Sequence, residues 1–195
     1  MSPERPVRGE ARRALILDAA LEVIAGEGPG ALTHRRVAAA AGLPLAATTY
    51  WFSSKDELLT AAYRLAADRD IRRVTEFADR HAGTSDLAEV LTELLAAELG
   101  EGRTALIASF AMWLEATRRP ELRSIEHDWT EGYLSAVAGL LEGAGSPSPR
   151  LDAQVLTAAI DGLLLGHLAR GAQDDVRTAI RPVLARLVEG LVGDA

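Results

Sequence analysis

Residues 32–59 read LTHRRVAAAAGLPLAATTYWFSSKDELL, and the fold follows from how that stretch divides. Thr33 stands where its hydroxyl can accept a bond from an otherwise unpaired N–H of a first helical turn. Val37, Ala38 and Ala41 then fall three and four apart, which makes a small apolar face. Gly42 can take the left-handed conformation that closes a helix, and Pro44 brings a fixed φ to the start of the next. Leu45 to Trp51 is only about two turns long, too short to be stable alone, so its neighbours must brace it. Ser54 reopens a helix with Glu57 three residues on, a capping box, with Lys55 beside the helix start. Two short helices around a glycine turn are the sequence form of a helix-turn-helix, whose second helix enters the DNA major groove. An ordinary helical hairpin in an all-α protein has the same spacing, and spacing alone leaves both readings open.

Outward from this stretch the chain is helical throughout. Met1 to about Gly9 is Pro- and Arg-containing and is not expected to order by itself. Its Arg5 and Arg8 read either as solubilising charges or as phosphate or minor-groove contacts. Glu10 to Ala25 forms a first helix whose Ile16, Ala19, Ala20, Val23 and Ile24 pack on the helix-turn-helix. Gly26, Gly28, Pro29 and Gly30 break it. Leu58 to about Arg80 continues as a long helix that would link a small head to a larger body. Ser85 or Asp86 caps a helix to Leu99, and further helices follow over about 103–118 and 120–142. After a Gly/Ser/Pro linker, Leu151 to Ala169 is apolar on more than one side and should be largely buried. Gln173 to about Leu191 closes the chain, with Pro182 kinking that helix or marking its effective start. No stretch alternates with period two, so the expected class is all-α.

Composition narrows the function. The 195 residues are 48% hydrophobic and 25% charged, ordinary for a globular chain that can build a real core. Cysteine is absent, which removes disulfides and thiolate zinc sites and suits a reducing cytoplasm. There is no secretory h-region, and no uncharged apolar run approaches the ~18 residues of a membrane span. The net charge is −7, yet residues 1–50 carry +1 and the remainder −8. An arginine-bearing head on an acidic body can still present its cations to phosphates. His34, His81, His127 and His167 show no metal spacing, and no nucleophile elbow or phosphate-cradling glycine loop is present. A small all-α enzyme or ligand carrier without DNA binding stays as the alternative, with no motif to bet on, and a helical interaction scaffold without ligand is a third reading.

The same stretch resembles the TetR-type bacterial transcriptional regulators. Thr33, Arg36-Val37-Ala38, Ala41-Gly42-Leu43, Tyr50, Phe52 and Ser54-Lys55-Asp56-Glu57-Leu58-Leu59 match that family in order and spacing. Pro44, where many members carry Ser, and Thr49, where many carry a Tyr, depart from it and bear on the operator sequence. The likeness is specific over about the first 60 residues and architectural beyond. It implies a helix-turn-helix head over residues 1–54 and a helical effector-binding and dimerisation body over 55–195. It also implies a homodimer on double-stranded, pseudo-palindromic operator DNA, a small apolar or amphipathic effector, no cofactor, and a repressor rather than an enzyme.

Within that frame each candidate residue has a physical reason. Thr33, Arg35, Arg36 and Lys55, with His34, lie at helix starts, where free N–H groups and the positive dipole end suit a phosphate oxygen. Base reading falls to the exposed side of Leu45 to Trp51, through the hydroxyls of Thr48 and Thr49, through Tyr50, and through apolar contact by Leu45. Trp51 packs either on the DNA backbone or in the core, and Phe52 belongs to the core. Phe110, Met112, Trp113, Trp129 and Tyr133 are large side chains able to line an apolar ligand cavity or simply to fill a core. Glu115, His127 and Asp128 are possible polar handles. Gly162 and Gly166, four apart among Leu156, Ile160, Leu163 and Leu164, form a flat stripe for a second helix, joined by Leu184 and Leu187 of the last helix. Burial within one subunit is the alternative. A two-fold dimer would set its reading helices about 34–36 Å apart, one DNA turn.

Overall fold

The computed structural model describes residues 4–171 and 175–193, with side chains from Gly9 onward. The described residues contain helices and no strand. In chain order they are α1 (Glu4–Glu27), α2 (His34–Ala40), α3 (Leu45–Trp51), α4 (Lys55–Arg80), α5 (Leu87–Leu99), α6 (Arg103–Ala116), α7 (Arg123–Gly143), α8 (Pro149–Arg170) and α9 (Val176–Val192). Short 3-10 turns at Pro29–Ala31 and Pro120–Leu122 precede α2 and α7.

Most boundaries follow the local chemistry. Thr33 caps α2, its hydroxyl accepting from the Arg36 N–H at 3.2 Å. Gly42 turns the chain with φ of +63°, a conformation that a side chain would resist. Ser54 accepts from the Glu57 N–H at 3.1 Å, as a capping box requires. The returning bond lands one residue early: the Glu57 carboxylate takes the Ser53 N–H at 2.7 Å and the Ser53 hydroxyl at 2.6 Å. Asp86 caps α5 through the Glu89 N–H at 2.9 Å.

Four expectations need correction. The first helix begins at Glu4 and runs past Gly26 to Glu27, so Gly28, with φ of +83°, is the residue that turns the chain. Pro44 is the residue before α3 rather than its first, and it ends the turn in an extended conformation. The last helix passes through Pro182, starting from a cap at Asp175, so Pro182 is an interior residue. The helix over Leu151–Ala169 is not largely buried: Leu151, Val155 and Leu165 are exposed. Arg5 and Arg8 lie outside the described side chains, and Gln173 lies outside the described residues.

The chain forms two compact units, residues 1–68 with 104–126 and residues 69–103 with 127–195. In the first, α1 packs on α2 and α2 on α3, over a core of Ile16, Ala20, Ile24, Leu32, Val37 and Phe52. In the second, α5 packs on α9 and α8 packs on both. Arg177 and Arg181 of α9 close that packing on Glu89 of α5, with Arg181 Nε 2.6 Å from the carboxylate. α8 is long and apolar enough by composition for a membrane span, at a mean hydropathy of 1.2. It nonetheless carries Asp152 and Asp161 and packs on two neighbours along one side.

Candidate functional site

The orientation of α3 is set by Thr48. That side chain is fully buried (0% exposed). Its hydroxyl donates to the Leu45 carbonyl at 2.9 Å and to the His34 carbonyl of α2 at 3.4 Å. Thr48 was expected to read bases, and its burial removes it from any groove; it braces the reading helix instead. The opposite side of α3 presents Leu45, Thr49 and Tyr50, with Tyr50 80% exposed. The Thr49 hydroxyl makes only long contacts, 3.4 Å to the Leu45 and Ala46 carbonyls, so it can turn outward. Trp51 is half-buried, edge-on to Tyr50 with centroids 5.4 Å apart, and its ring lies beside Gly9 of α1. Phe52 is core, as expected, with the Arg13 guanidinium 5.5 Å from its ring centroid.

Around α3 the polar candidates differ in how committed they are. Thr33 is exposed and accepts one N–H, which leaves its hydroxyl proton for a phosphate. Arg35 is exposed and makes no ion pair among the described residues. Arg36 is tied to Glu27 at 2.7 Å. Lys55 donates one hydrogen to the Gly30 carbonyl at 3.0 Å and keeps two. His34 is half-buried, with Nδ1 unpartnered. The hydrogen bonds from Ser53, side chain first and backbone second, hold the Glu57 carboxyl below its ordinary range against the effect of burial.

The expected ligand residues fall into both units. In the first, Phe110 and Trp113 of α6 are half-buried and edge-on, with centroids 5.5 Å apart. Met112 is fully buried, so it fills core rather than walling a cavity. Glu115 is spent on Arg119, at 3.0 Å, and Arg119 reaches Asp56 at the start of α4 at 2.6 Å. A groove of about 470 Å³ in this unit, lined by Arg13, Asp56, Glu57, Arg64 and Asp68 with a few apolar residues, is too charged for an apolar ligand. His127 and Asp128 are exposed in the second unit.

In the second unit, Trp129 and Tyr133 of α7 sit in a polar cluster that sequence reasoning missed. Trp129 Nε1 donates to Asp70 at 2.8 Å. Arg73 bonds both Asp70 and Glu98. Burial opposes the charge on Arg73, and the two carboxylates outweigh it and raise its pKa. Burial also pushes Glu98 up against the pull of Arg73. The Tyr133 phenol is pushed up by burial first and then by Asp70, Glu98 and Asp161. Burial, with repulsion from Asp70, pushes Asp161 up to about 7. The one signal in the sequence is an acidic residue, Asp161, inside a run of apolar ones.

α8 also shows which side is free for a partner. Leu156 and Ile160, with Leu184 of α9, are buried within the chain and have no surface left to offer a second copy. Leu163 and Leu187 are half-buried, and Gly166 is half-buried beneath Arg170. Gly162 is exposed, and a Cβ there would meet open space. The free stripe is Leu151, Val155, Ala158, Gly162, Leu165 and Ala169, alternately four and three apart. That spacing is the seam of a helix pair.

A short helix braced from behind, exposed at its face and flanked by cations at helix starts, defines a helix-turn-helix DNA-binding transcriptional regulator. Residues 16–62 match the family model for bacterial regulatory proteins of the tetR family, and residues 82–190 match that for the tetracyclin repressor-like C-terminal domain. The chain belongs to the TetR family. It is 30% identical over 176 residues to the HTH-type transcriptional regulator BetI of Paraburkholderia xenovorans (strain LB400), covering 88% of this chain and 89% of that one. A solved TetR-family member from Streptomyces coelicolor A3 superposes with a TM-score of 0.72 at 35% identity, covering 90% of this chain and 97% of that one. The multidrug binding protein EbrR, solved with ethidium, superposes with a TM-score of 0.68 at 34% identity, covering 96% and 99%. EbrR has also been solved with proflavin and with malachite green.

Proposed function

We propose that this regulator is a cytoplasmic repressor that binds a pseudo-palindromic operator as a homodimer and leaves it when a small organic effector occupies its body. The observation that carries the reading is α3: Thr48 fixes it from behind while Leu45, Thr49 and Tyr50 face outward. Residues 1–54 serve as the reading head and residues 55–195 as the body. Thr33, Arg35 and Lys55 hold phosphates, with His34 and Arg36 in support. Leu45, Thr49 and Tyr50 read base edges, and Trp51 packs behind them. The dimer forms on the free stripe of α8 around Gly162, with Val183 of α9 adding exposed apolar surface. The effector reading draws on the dyes bound by EbrR, together with the half-buried aromatic pair Phe110 and Trp113. The effector acts by binding the operator-competent and operator-free conformers unequally.

Selection of bound DNA from a random pool tests this directly. An inverted repeat with half-sites about one turn apart, about 10 bp, is the expected result. Enrichment of no sequence, or of a single half-site, would defeat the reading. A salt titration on the enriched site should show a steep fall in affinity, as several phosphate contacts require.

A further inference from the structure

Residues 37–54 run VAAAAGLPLAATTYWFSS, and none of them carries a charge or a carboxamide. The whole of α3 and the turn before it lie inside that run. In the major groove each base has its own kind of reader. Arg or Lys reads guanine, Asn or Gln reads adenine, Asp or Glu reads cytosine, and an apolar group meets the thymine methyl. On α3 only the last kind is present.

The outward face of α3 is Leu45, Ala46, Thr49 and Tyr50, all exposed, with Leu45 at 49% and Tyr50 at 80%. Leu45 stands four residues from Thr49, and Ala46 four from Tyr50, so the face is two columns side by side. Four residues of helix rise about 6 Å, against about 3.4 Å between base pairs, so the face spans two neighbouring pairs. Its polar groups are two hydroxyls. That of Thr49 makes only 3.4 Å contacts with carbonyls of its own helix. A hydroxyl both donates and accepts, so it does not choose between bases by itself. The neighbouring cations stand on other helices. Arg36 of α2 is tied to Glu27 at 2.7 Å, and Lys55 of α4 to the Gly30 carbonyl at 3.0 Å.

We infer that α3 reads thymine methyls: each operator half-site carries two adjacent A·T pairs under α3, and one of their methyls packs on Leu45. The inference rests on the DNA-binding reading above and names the bases that reading selects. Phosphate contacts by Arg35 and Lys55 supply affinity common to all sequences, and the methyls supply the choice. An exposed leucine and a methyl both leave water when they meet. Against a guanine or cytosine edge the same leucine covers donors and acceptors and offers them no bond, which costs affinity. Selection for thymine and selection against G·C therefore come from one contact.

The test uses the full-length protein and the site it enriches from a random pool, which should hold two adjacent A·T pairs at a fixed place in each half-site. Each thymine is then replaced by deoxyuridine, which keeps every hydrogen-bonding group and lacks only the methyl. The loss at the thymine under Leu45 should be about fourfold in one half-site and about fifteenfold in both, as burial of one methyl in each requires. Where cytosine replaces that thymine, with guanine opposite, 5-methylcytosine should bind about fourfold more tightly than cytosine, because it restores the methyl alone. Leu45→Ala should keep the parent Tm and shrink the deoxyuridine loss to under about twofold, since the methyl has lost its partner. Deoxyuridine that binds as tightly as thymidine at every position overturns the proposal without recourse to any variant. So does a Leu45→Ala protein that keeps the parent's full loss at every thymine. If an inverted repeat is enriched but its half-sites hold no fixed A·T pair, the operator reading stands and the thymine-methyl readout falls. If no sequence is enriched, both fall.

Discussion

Replacing Thr48 by Val removes one hydroxyl from behind the reading helix and changes almost nothing else. Valine has the shape of threonine, so no cavity opens. The bonds lost are those to the Leu45 carbonyl at 2.9 Å and the His34 carbonyl at 3.4 Å. Both carbonyls sit in helices and keep their own backbone N–H partners, so neither becomes an orphaned acceptor. The loss is then that of about one ordinary hydrogen bond, about 0.5–1.5 kcal/mol. For a chain of this size that is a fall in Tm of about 2–4 °C per kcal/mol. Calorimetry reads the first number and selection from a random pool reads the second quantity, base preference. The enriched sequence should be the same as for the parent, with affinity reduced evenly across sites. Tyr50→Ala is the counterpart: Tyr50 is 80% exposed, so stability should hold while preference changes at the base pairs it touches. Loss of a good base contact relaxes discrimination by about 1–3 kcal/mol at that position. A Thr48→Val chain as stable as the parent but with a different enriched sequence would refute the assignment of Thr48 as a brace.

Other outcomes follow from the same geometry. Lys55→Ala should weaken operator binding for all sequences alike and reduce the slope of log affinity against log salt by about 1, read by mobility shift over a salt series. Leu165→Glu places a charge on the free stripe of α8 beside Gly162, where Leu165 is 51% exposed in the single chain. Sedimentation should show a folded monomer, and a stable dimer would place the interface elsewhere. The raised pKa of Asp161 gives a definite sign to the pH dependence of stability. The folded state holds this proton between about pH 4 and about pH 7 and the unfolded state does not, so stability from this group falls as pH rises through that window. Asp161→Asn should accordingly gain Tm relative to the parent at about pH 8, with the gain vanishing near about pH 4, and a pH-independent difference would count against the burial of the group.

What the sequence discloses here is whatever a few neighbouring residues decide between them. Thr33, Gly42 and Asp86 work through bonds to backbone three or four residues away or through their own φ, so the helix starts and the turn are readable without tertiary knowledge. The phase of a helix is another matter. α3 has seven residues, and its Thr48 and Thr49 are chemically identical; only the packing of α2 decides that one is sealed and the other exposed. α8 poses the same problem on a larger scale. Its apolar residues surround it, so periodicity cannot separate the side that meets α5 and α9, with Leu156 and Ile160, from the side left bare nearly half a turn away, with Leu151, Val155 and Leu165. Asp161 is the instructive residue. In the sequence it marks only where an apolar run is interrupted, because its meaning depends on Asp70 and Arg73, about ninety residues earlier in the chain. The cluster becomes visible once those residues share a core and their charges can be balanced.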